Sequence, residues 1–225
     1  MTFIAEKEAG ELRRHLETHL TAPVTMDLFA RPVTGLWVPG RRDCETCEDT
    51  RKLLEEVAAL SDKVTLRVHD VTAEPQAAAA AGLEEDQIPA VVLTGAAKGR
   101  VRFLGLPSGL EFGTLLRSLI DVGRGGTTLA EATKESLQGL AKDVHIRVFV
   151  TPSCPYCPRA AEIAHQMAVE SGRVTADVIE AQEFPDLAER YHVHGVPKVV
   201  VNETLGFVGA QPEARFLDHV LRAAA

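Results

Sequence analysis

The chain has only four cysteines, and they fall in two pairs of equal spacing, Cys44/Cys47 and Cys154/Cys157. A scatter of structural thiols has no reason to sort itself this way. Two cysteines at i and i+3 at the start of a helix place both sulfurs on one side, close enough to form a disulfide and to reopen it. Helix-start amides without partners, and the helix dipole, favour negative charge there, so the first thiol of each pair is expected to ionise in part near neutral pH. That thiolate can attack a target disulfide, and the second cysteine can then displace the target from the mixed disulfide. The candidate catalytic residues are therefore Cys154, Cys157, Cys44 and Cys47, each pair closing on itself.

Such chemistry needs each pair at a strand-to-helix turn, and the chain supplies that turn twice. Residues 145–150 alternate and are rich in β-formers, so they read as a strand running into Thr151-Pro-Ser-Cys-Pro-Tyr-Cys-Pro158. Pro155 suits a first helical turn, and Pro158 is tolerated there because the earliest amides have no intrahelical partner to lose. A helix over 159–170 follows, then a strand at 174–179, a helix at 185–191, strands at 198–202 and 206–208, and a closing helix at 212–222. The landmarks repeat upstream. Cys44 precedes Cys154 by 110 residues, 64–68 matches 174–178 at the same offset, Ile88-Pro89 matches Val196-Pro197 at 108, and Phe103-Leu104-Gly105 matches Phe207-Val208-Gly209 at 104. Small loop deletions explain the drift, and a duplicated unit of about 100 residues is the simplest account.

The glycines of 121–126 follow a helical pattern over 111–120 and place the seam there, giving units of 1–122 and 123–225. Each unit opens with an amphipathic helix, 5–20 and 129–142. In the first unit either 24–29 or 34–38 suits the strand before Cys44, and the roughly ten extra residues read as an edge hairpin or an extended loop beside the site.

Composition sets outer limits. Thirty-two acidic against 24 basic side chains give a formal charge of -8, and nothing resembles a basic face, which argues against nucleic acid as a partner. Glu6, Lys7 and Glu8 interrupt the apolar stretch that a secretory leader needs, and no segment reaches the roughly 18 apolar residues of a membrane span. The expectation is a soluble cytoplasmic protein without membrane contact, in a compartment where paired cysteines are catalytic, redox-sensing or metal-bound more often than static.

The Cys-Pro-Tyr-Cys of 154–157 is the glutaredoxin-type motif, and end to end the chain resembles the prokaryotic protein disulfide oxidoreductases, glutaredoxin-like proteins that fuse two thioredoxin folds. The stretches Phe103-Leu-Gly-Leu-Pro-Ser-Gly-Leu-Glu-Phe112 and Val196-Pro-Lys share in the likeness. The resemblance implies an α/β fold of two tandem thioredoxin-like units, each a central mixed sheet flanked by helices. It implies that Pro89 and Pro197 are cis and lie near their thiol pairs, and that Ile88 and Val196 bind substrate backbone as an added strand. Tyr156, between the second pair, joins these as a candidate substrate-binding residue. The implied partners are protein disulfides and a thioredoxin-reductase-like flavoprotein that uses NADPH; the chain carries no nucleotide-binding glycine fingerprint and no bound cofactor is expected. In the first unit Glu45-Thr46 replaces Pro-Tyr.

Other readings compete. Two Cys-x-x-Cys hooks can supply a four-thiolate zinc cage, with an iron-sulfur site as a variant, but each hook heads its own turn in a repeated unit. An electron-relay module for a peroxiredoxin is a second enzymatic reading, which the retention of both thiol pairs disfavours. A chaperone that uses the groove without turnover is a third. His192-Val-His194 reads as a solvated loop, Trp37 as packing, and 77–81 as a short helix. Asp43, Glu45, Glu48 and Asp49 form a solvated helix start whose charge disfavours a thiolate at Cys44, whereas no acid lies within five residues of Cys154 and Arg159 follows it. Arg41 and Arg42 offset part of that difference if they fold back over the first site; on the local charges Cys154 is expected to be the stronger nucleophile.

Overall fold

The computed structural model describes residues 2–32, 44–203 and 205–225. Helix α1 (Glu6–His19) starts with Glu6 and Glu8 in its first turn, where acids suit the dipole, and Glu8 reaches back to accept from the Ala5 N–H at 3.4 Å. Strand β1 (Val24–Ala30) follows; it is the first of the two segments that suit the strand before Cys44. The other, 34–38, and with it Trp37, Arg41, Arg42 and Asp43, lies outside the described residues. Helix α2 (Cys47–Ala58) and strand β2 (Val64–Asp70) complete a parallel βαβ unit, and α3 (Pro75–Ala80), β3 (Ala90–Thr94), β4 (Arg100–Leu104) and α4 (Glu111–Arg124) finish the first half.

The second half repeats that order. Helix α5 (Glu131–Gln138) leads to β5 (Val144–Val150), α6 (Cys157–Glu170), β6 (Val174–Glu180), α7 (Pro185–Arg190), β7 (Lys198–Val201), β8 (Leu205–Val208) and α8 (Glu213–Ala224). Helix α4 runs on through Asp121–Arg124 and stops at Gly125, whose φ of 66° is the left-handed cap that glycine adopts at no steric cost. Helix α5 is shorter at both ends than the expected 129–142, because Leu129 and Leu140 pack into the core from its flanking turns.

Among the described residues eight strands form one continuous sheet, ordered β2-β1-β3-β4-β6-β5-β7-β8. Within each half the order is the same, and the halves join where β4 pairs in parallel with β6, from Arg100 opposite Thr175 to Leu104 opposite Ile179. Alternation along the strands feeds two layers of core. Met26, Leu28, Val91, Phe103, Val148 and Val178 face the layer of α1, α2, α4, α5, α6 and α8. Phe29, Ala90, Leu104, Phe149 and Ile179 face the opposite layer, covered by α3 and α7.

A buried polar group pins the junction. Arg102 on β4 donates from Nε and Nη2 to both carboxylate oxygens of Asp177 on β6, at 2.6 and 2.8 Å, and from Nη1 to the carbonyls of Ala81 and Gly82. His145 Nε2 lies 2.6 Å from the same carboxylate. Burial pushes the Asp177 carboxyl up, but the His145 and Arg102 contacts outweigh it and hold the group well below the usual carboxylate range.

Candidate dithiol sites

The second pair sits where β5 gives way to α6. After Val150 the chain turns through 151–156; the Cys154 N–H donates to Thr151 O at 3.1 Å and the Cys157 N–H to Cys154 O at 3.4 Å. Cys157 is the first residue of α6, with Tyr156 as its N-cap and Pro158 in the first turn. The two sulfurs form a disulfide across a Cα–Cα distance of 5.5 Å. Cys157 is fully buried and Cys154 keeps 8% exposure, so Cys154 is the more accessible of the two. Sγ of Cys154 lies 3.7 Å from the carbonyl oxygen of Val196, and the Val196–Pro197 bond is cis. The Gly209 N–H at the end of β8 holds Pro197 O at 2.8 Å. Tyr156 stands 68% exposed beside the pair.

The first site repeats the plan. Cys44 and Cys47 form a disulfide with the same 5.5 Å Cα separation, Cys47 opens α2, and Ile88–Pro89 is cis. Gly105 holds Pro89 O at 2.8 Å, as Gly209 does Pro197. The Arg31 N–H donates to Cys47 Sγ at 3.5 Å. The ten extra residues fall between β1 and Cys44, which is why β1 aligns with β5 at an offset of 120 while the thiols align at 110. The four sulfurs stay in two separate pairs. Among the described residues no group of three or more His, Cys, Asp or Glu side chains is placed to hold a metal ion, His192 and His194 included.

Each site is bordered by the other unit. The loop 105–110, between β4 and α4, docks on the turn that leads to Cys154: the Leu110 N–H donates to Pro152 O at 2.9 Å. Gly109 beside it has φ +60°, and a Cβ there would stand 2.5 Å from Pro152 O, so only glycine allows this approach. In the other direction Glu183, between β6 and α7, accepts from the Leu106 N–H at 2.8 Å and from the hydroxyl of Thr46, which lies between the first pair of cysteines.

Three carboxyls near the sites were not singled out as functional by their sequence context. Glu111, 3% exposed, lines a small pocket with Val150, Pro152 and Glu180, and burial pushes it up to about 7. Glu180 is buried at the end of β6, and burial raises it as well. Glu183 carries the bridge just described. In sequence Glu111 reads as an ordinary acid in a first helical turn and Glu180 as a strand end; the signal is only that Glu111 lies within the family stretch 103–112. By contrast Glu48, which follows Cys47, is held below its ordinary value by a two-pronged bond from Arg51, and Lys52 lies within 4.0 Å of both Glu48 and Asp49. Glu48 and Asp49, adjacent in sequence to the first pair, are thus ion-paired, and carboxyls distant in sequence reach both sites.

Paired cysteines at helix starts, each beside a cis-proline loop on a mixed sheet, define a thioredoxin-fold thiol–disulfide oxidoreductase. Residues 144–222 match the thioredoxin domain family model. A solved structure of a protein disulfide oxidoreductase from Aeropyrum pernix k1 superposes with a TM-score of 0.86 at 32% identity, over 98% of this chain and 93% of that one. The thioredoxin of Methanocaldococcus jannaschii is 31% identical over 78 residues, 34% of this chain and 92% of its own length. An alkyl hydroperoxide reductase polypeptide of Xanthomonas campestris pv. phaseoli is 29% identical over 154 residues, 68% of this chain but only 27% of that protein. The chain belongs to the protein disulfide oxidoreductases that join two thioredoxin-like units. It spans under a third of the length of the alkyl hydroperoxide reductase relatives it matches.

Proposed function

We propose that this protein exchanges disulfides with protein substrates at both dithiol sites, with Cys154 as the leading nucleophile. The Cys154 thiolate attacks a substrate disulfide and forms a mixed disulfide, and one substrate sulfur leaves as a thiol. Cys157 then gives up its proton and attacks Cys154 Sγ, so that the second substrate sulfur leaves and the protein disulfide forms. The observation that carries this reading is the position of Cys154 Sγ, 3.7 Å from the Val196 carbonyl beside Pro197. A strand-like substrate segment pairing with Val196 brings its sulfur to that thiol, and Ile88 and Pro89 form the corresponding edge at Cys44. Tyr156 offers an exposed aromatic face to the same segment. In this reading the units are 1–122 and 123–225. Reducing equivalents come from NADPH through a thioredoxin-reductase-like flavoprotein, and the setting is the cytoplasm; among the described residues no helix is long and apolar enough to cross a membrane.

Insulin reduction driven by dithiothreitol tests the assignment. Cys154→Ser is expected to remove most turnover and Cys44→Ser a modest share. Absence of turnover in the unmodified protein, with about one tightly held metal per chain after anaerobic purification, would sink it. The likeness to the Xanthomonas alkyl hydroperoxide reductase over 68% of the chain favours a second reading, relay of electrons to a peroxiredoxin. Faster single-turnover reduction of a peroxiredoxin disulfide than of insulin would select that reading.

A further inference from the structure

We propose that the cleft between the two units binds a cationic side chain, lysine or arginine, of the polypeptide that presents its disulfide to Cys44. The inference rests on Cys44 and Cys47 acting as a dithiol. The cleft encloses about 630 Å³, and its walls carry Cys44, Glu45 and Asp86 from the first unit and Glu180 and Glu183 from the second. Four carboxyls therefore line the same cleft as Cys44, and none of the described lining residues is a lysine, arginine or histidine.

The four are not equivalent. Both Glu183 oxygens are engaged, one by the Leu106 N–H and one by the Thr46 hydroxyl. Glu180 is only 6% exposed; its Oε2 accepts from the Glu183 N–H at 2.6 Å, while its Oε1 is buried without a hydrogen-bond partner. A buried carboxylate oxygen that lacks a donor carries an uncompensated desolvation cost, which a guanidinium or ammonium offsets with both a donor and a charge. Glu45 and Asp86 are exposed at the rim and add to the attraction. Among the described residues the cations of α2 are already engaged, Arg51 with Glu48 and Glu55 and Lys52 with Glu48.

Occupation also changes the chemistry. Carboxylates around Cys44 disfavour its thiolate, and a bound cation opposes that field. The first site should then be selective, slow with neutral or anionic disulfides and fast with those that carry a cation near the sulfur.

The test uses the Cys154→Ser/Cys157→Ser variant, pre-reduced, in single turnover against cystamine, hydroxyethyl disulfide and dithiodiglycolate. Each event converts one small disulfide and the protein dithiol into two small thiols and the Cys44–Cys47 disulfide, so no further oxidant or reductant enters. The mirror variant, Cys44→Ser/Cys47→Ser, measures the background preference set by the net charge of -8. The cystamine-to-dithiodiglycolate rate ratio is expected to be about tenfold larger at the first site than at the second, and to shrink at least about threefold in Glu180→Gln and in roughly 0.5 M salt. Equal ratios at the two sites, or a ratio indifferent to Glu180→Gln, overturn the proposal. A second arm reads binding without thiol chemistry, using oxidised protein with a labelled Gly-Lys-Ser-Lys-Gly peptide against Gly-Glu-Ser-Glu-Gly. Glu180-dependent binding of the lysine peptide with no turnover at the first site upholds the cleft and removes the dithiol role. Turnover without charge preference, and no binding, does the reverse.

Discussion

Glu111 holds a carboxyl at 3% exposure with neither oxygen partnered, and that combination has a measurable consequence. Burial, together with the nearby charge of Glu162, raises it from 4.5 to about 7. Between those two values the folded chain keeps a proton that the unfolded chain releases, so folding stability falls as pH rises from about 4.5 to 7 and the penalty is complete above that. Glu111→Gln keeps the shape and removes the titration. In urea titrations the variant should gain midpoint over the parent at pH 8 and little at pH 5; an equal difference at both pH values refutes the buried-acid account. At this scale the thiols were legible in the sequence, because Cys-x-x-Cys spacing alone fixes which sulfurs meet. The carboxyls were not, because a five-residue window around Cys154 contains no acid while the fold brings Glu111 and Glu180 against the turn at Pro152. The charge argument for Cys44 was only half visible, since Arg51 and Lys52 quiet Glu48 and Asp49 while Glu180 and Glu183 arrive from the other unit.

Elements of the two units meet through close backbone approach, and glycine decides where that is possible. The turn from β3 to β4 lies on the C-terminal end of α6: the Lys98 N–H donates to Val169 O at 3.1 Å and the Gly99 N–H to Ala168 O at 2.8 Å. A Cβ on Gly99 would stand 2.2 Å from Val174 O and 2.4 Å from Ser171 O, both backbone atoms that cannot swing aside. Gly99→Ala is therefore expected to cost about 3 kcal/mol, the upper end of the range for forced overpacking. Chemical denaturation measures it, and a loss under about 1 kcal/mol would mean that this junction yields more readily than its close contacts imply. Periodicity located these elements well: strands at 145–150 and 174–179 and helices at 159–170 and 185–191 fall within two residues of β5, β6, α6 and α7. The strand before Cys44 stayed open because 24–29 and 34–38 both carry strand-forming residues. Local pattern has no term for the pairing with β2 and β3 that makes 24–30 a strand inside the sheet.

Duplication was plain in the sequence, but the joining of the copies into one sheet was not. A period of two marks a strand and its buried face without naming its neighbour, so nothing local says that β4 of one unit lies beside β6 of the other. That pairing has consequences for the whole molecule. If the halves were independent, each would expose a strand edge, β4 or β6, and the apolar faces where α4 packs on α6. Arg102 and Asp177, 3% and 1% exposed at their side chains, would each face water or a void without its charge partner. The two units are accordingly expected to unfold in a single transition, with fluorescence and circular dichroism midpoints coinciding. Asp177→Ala removes the acceptor of two Arg102 bonds and of the His145 contact and leaves a buried guanidinium unpaired, for which a loss of about 3–5 kcal/mol is expected. The loss should appear as one transition moved to lower denaturant, because the ion pair spans the seam and both halves feel its removal. Two well-separated transitions, in the parent or in the variant, would show that the continuous sheet does not couple the units. In that case the mutual bordering of the two dithiol sites would be an accident of packing, with no support from a common fold.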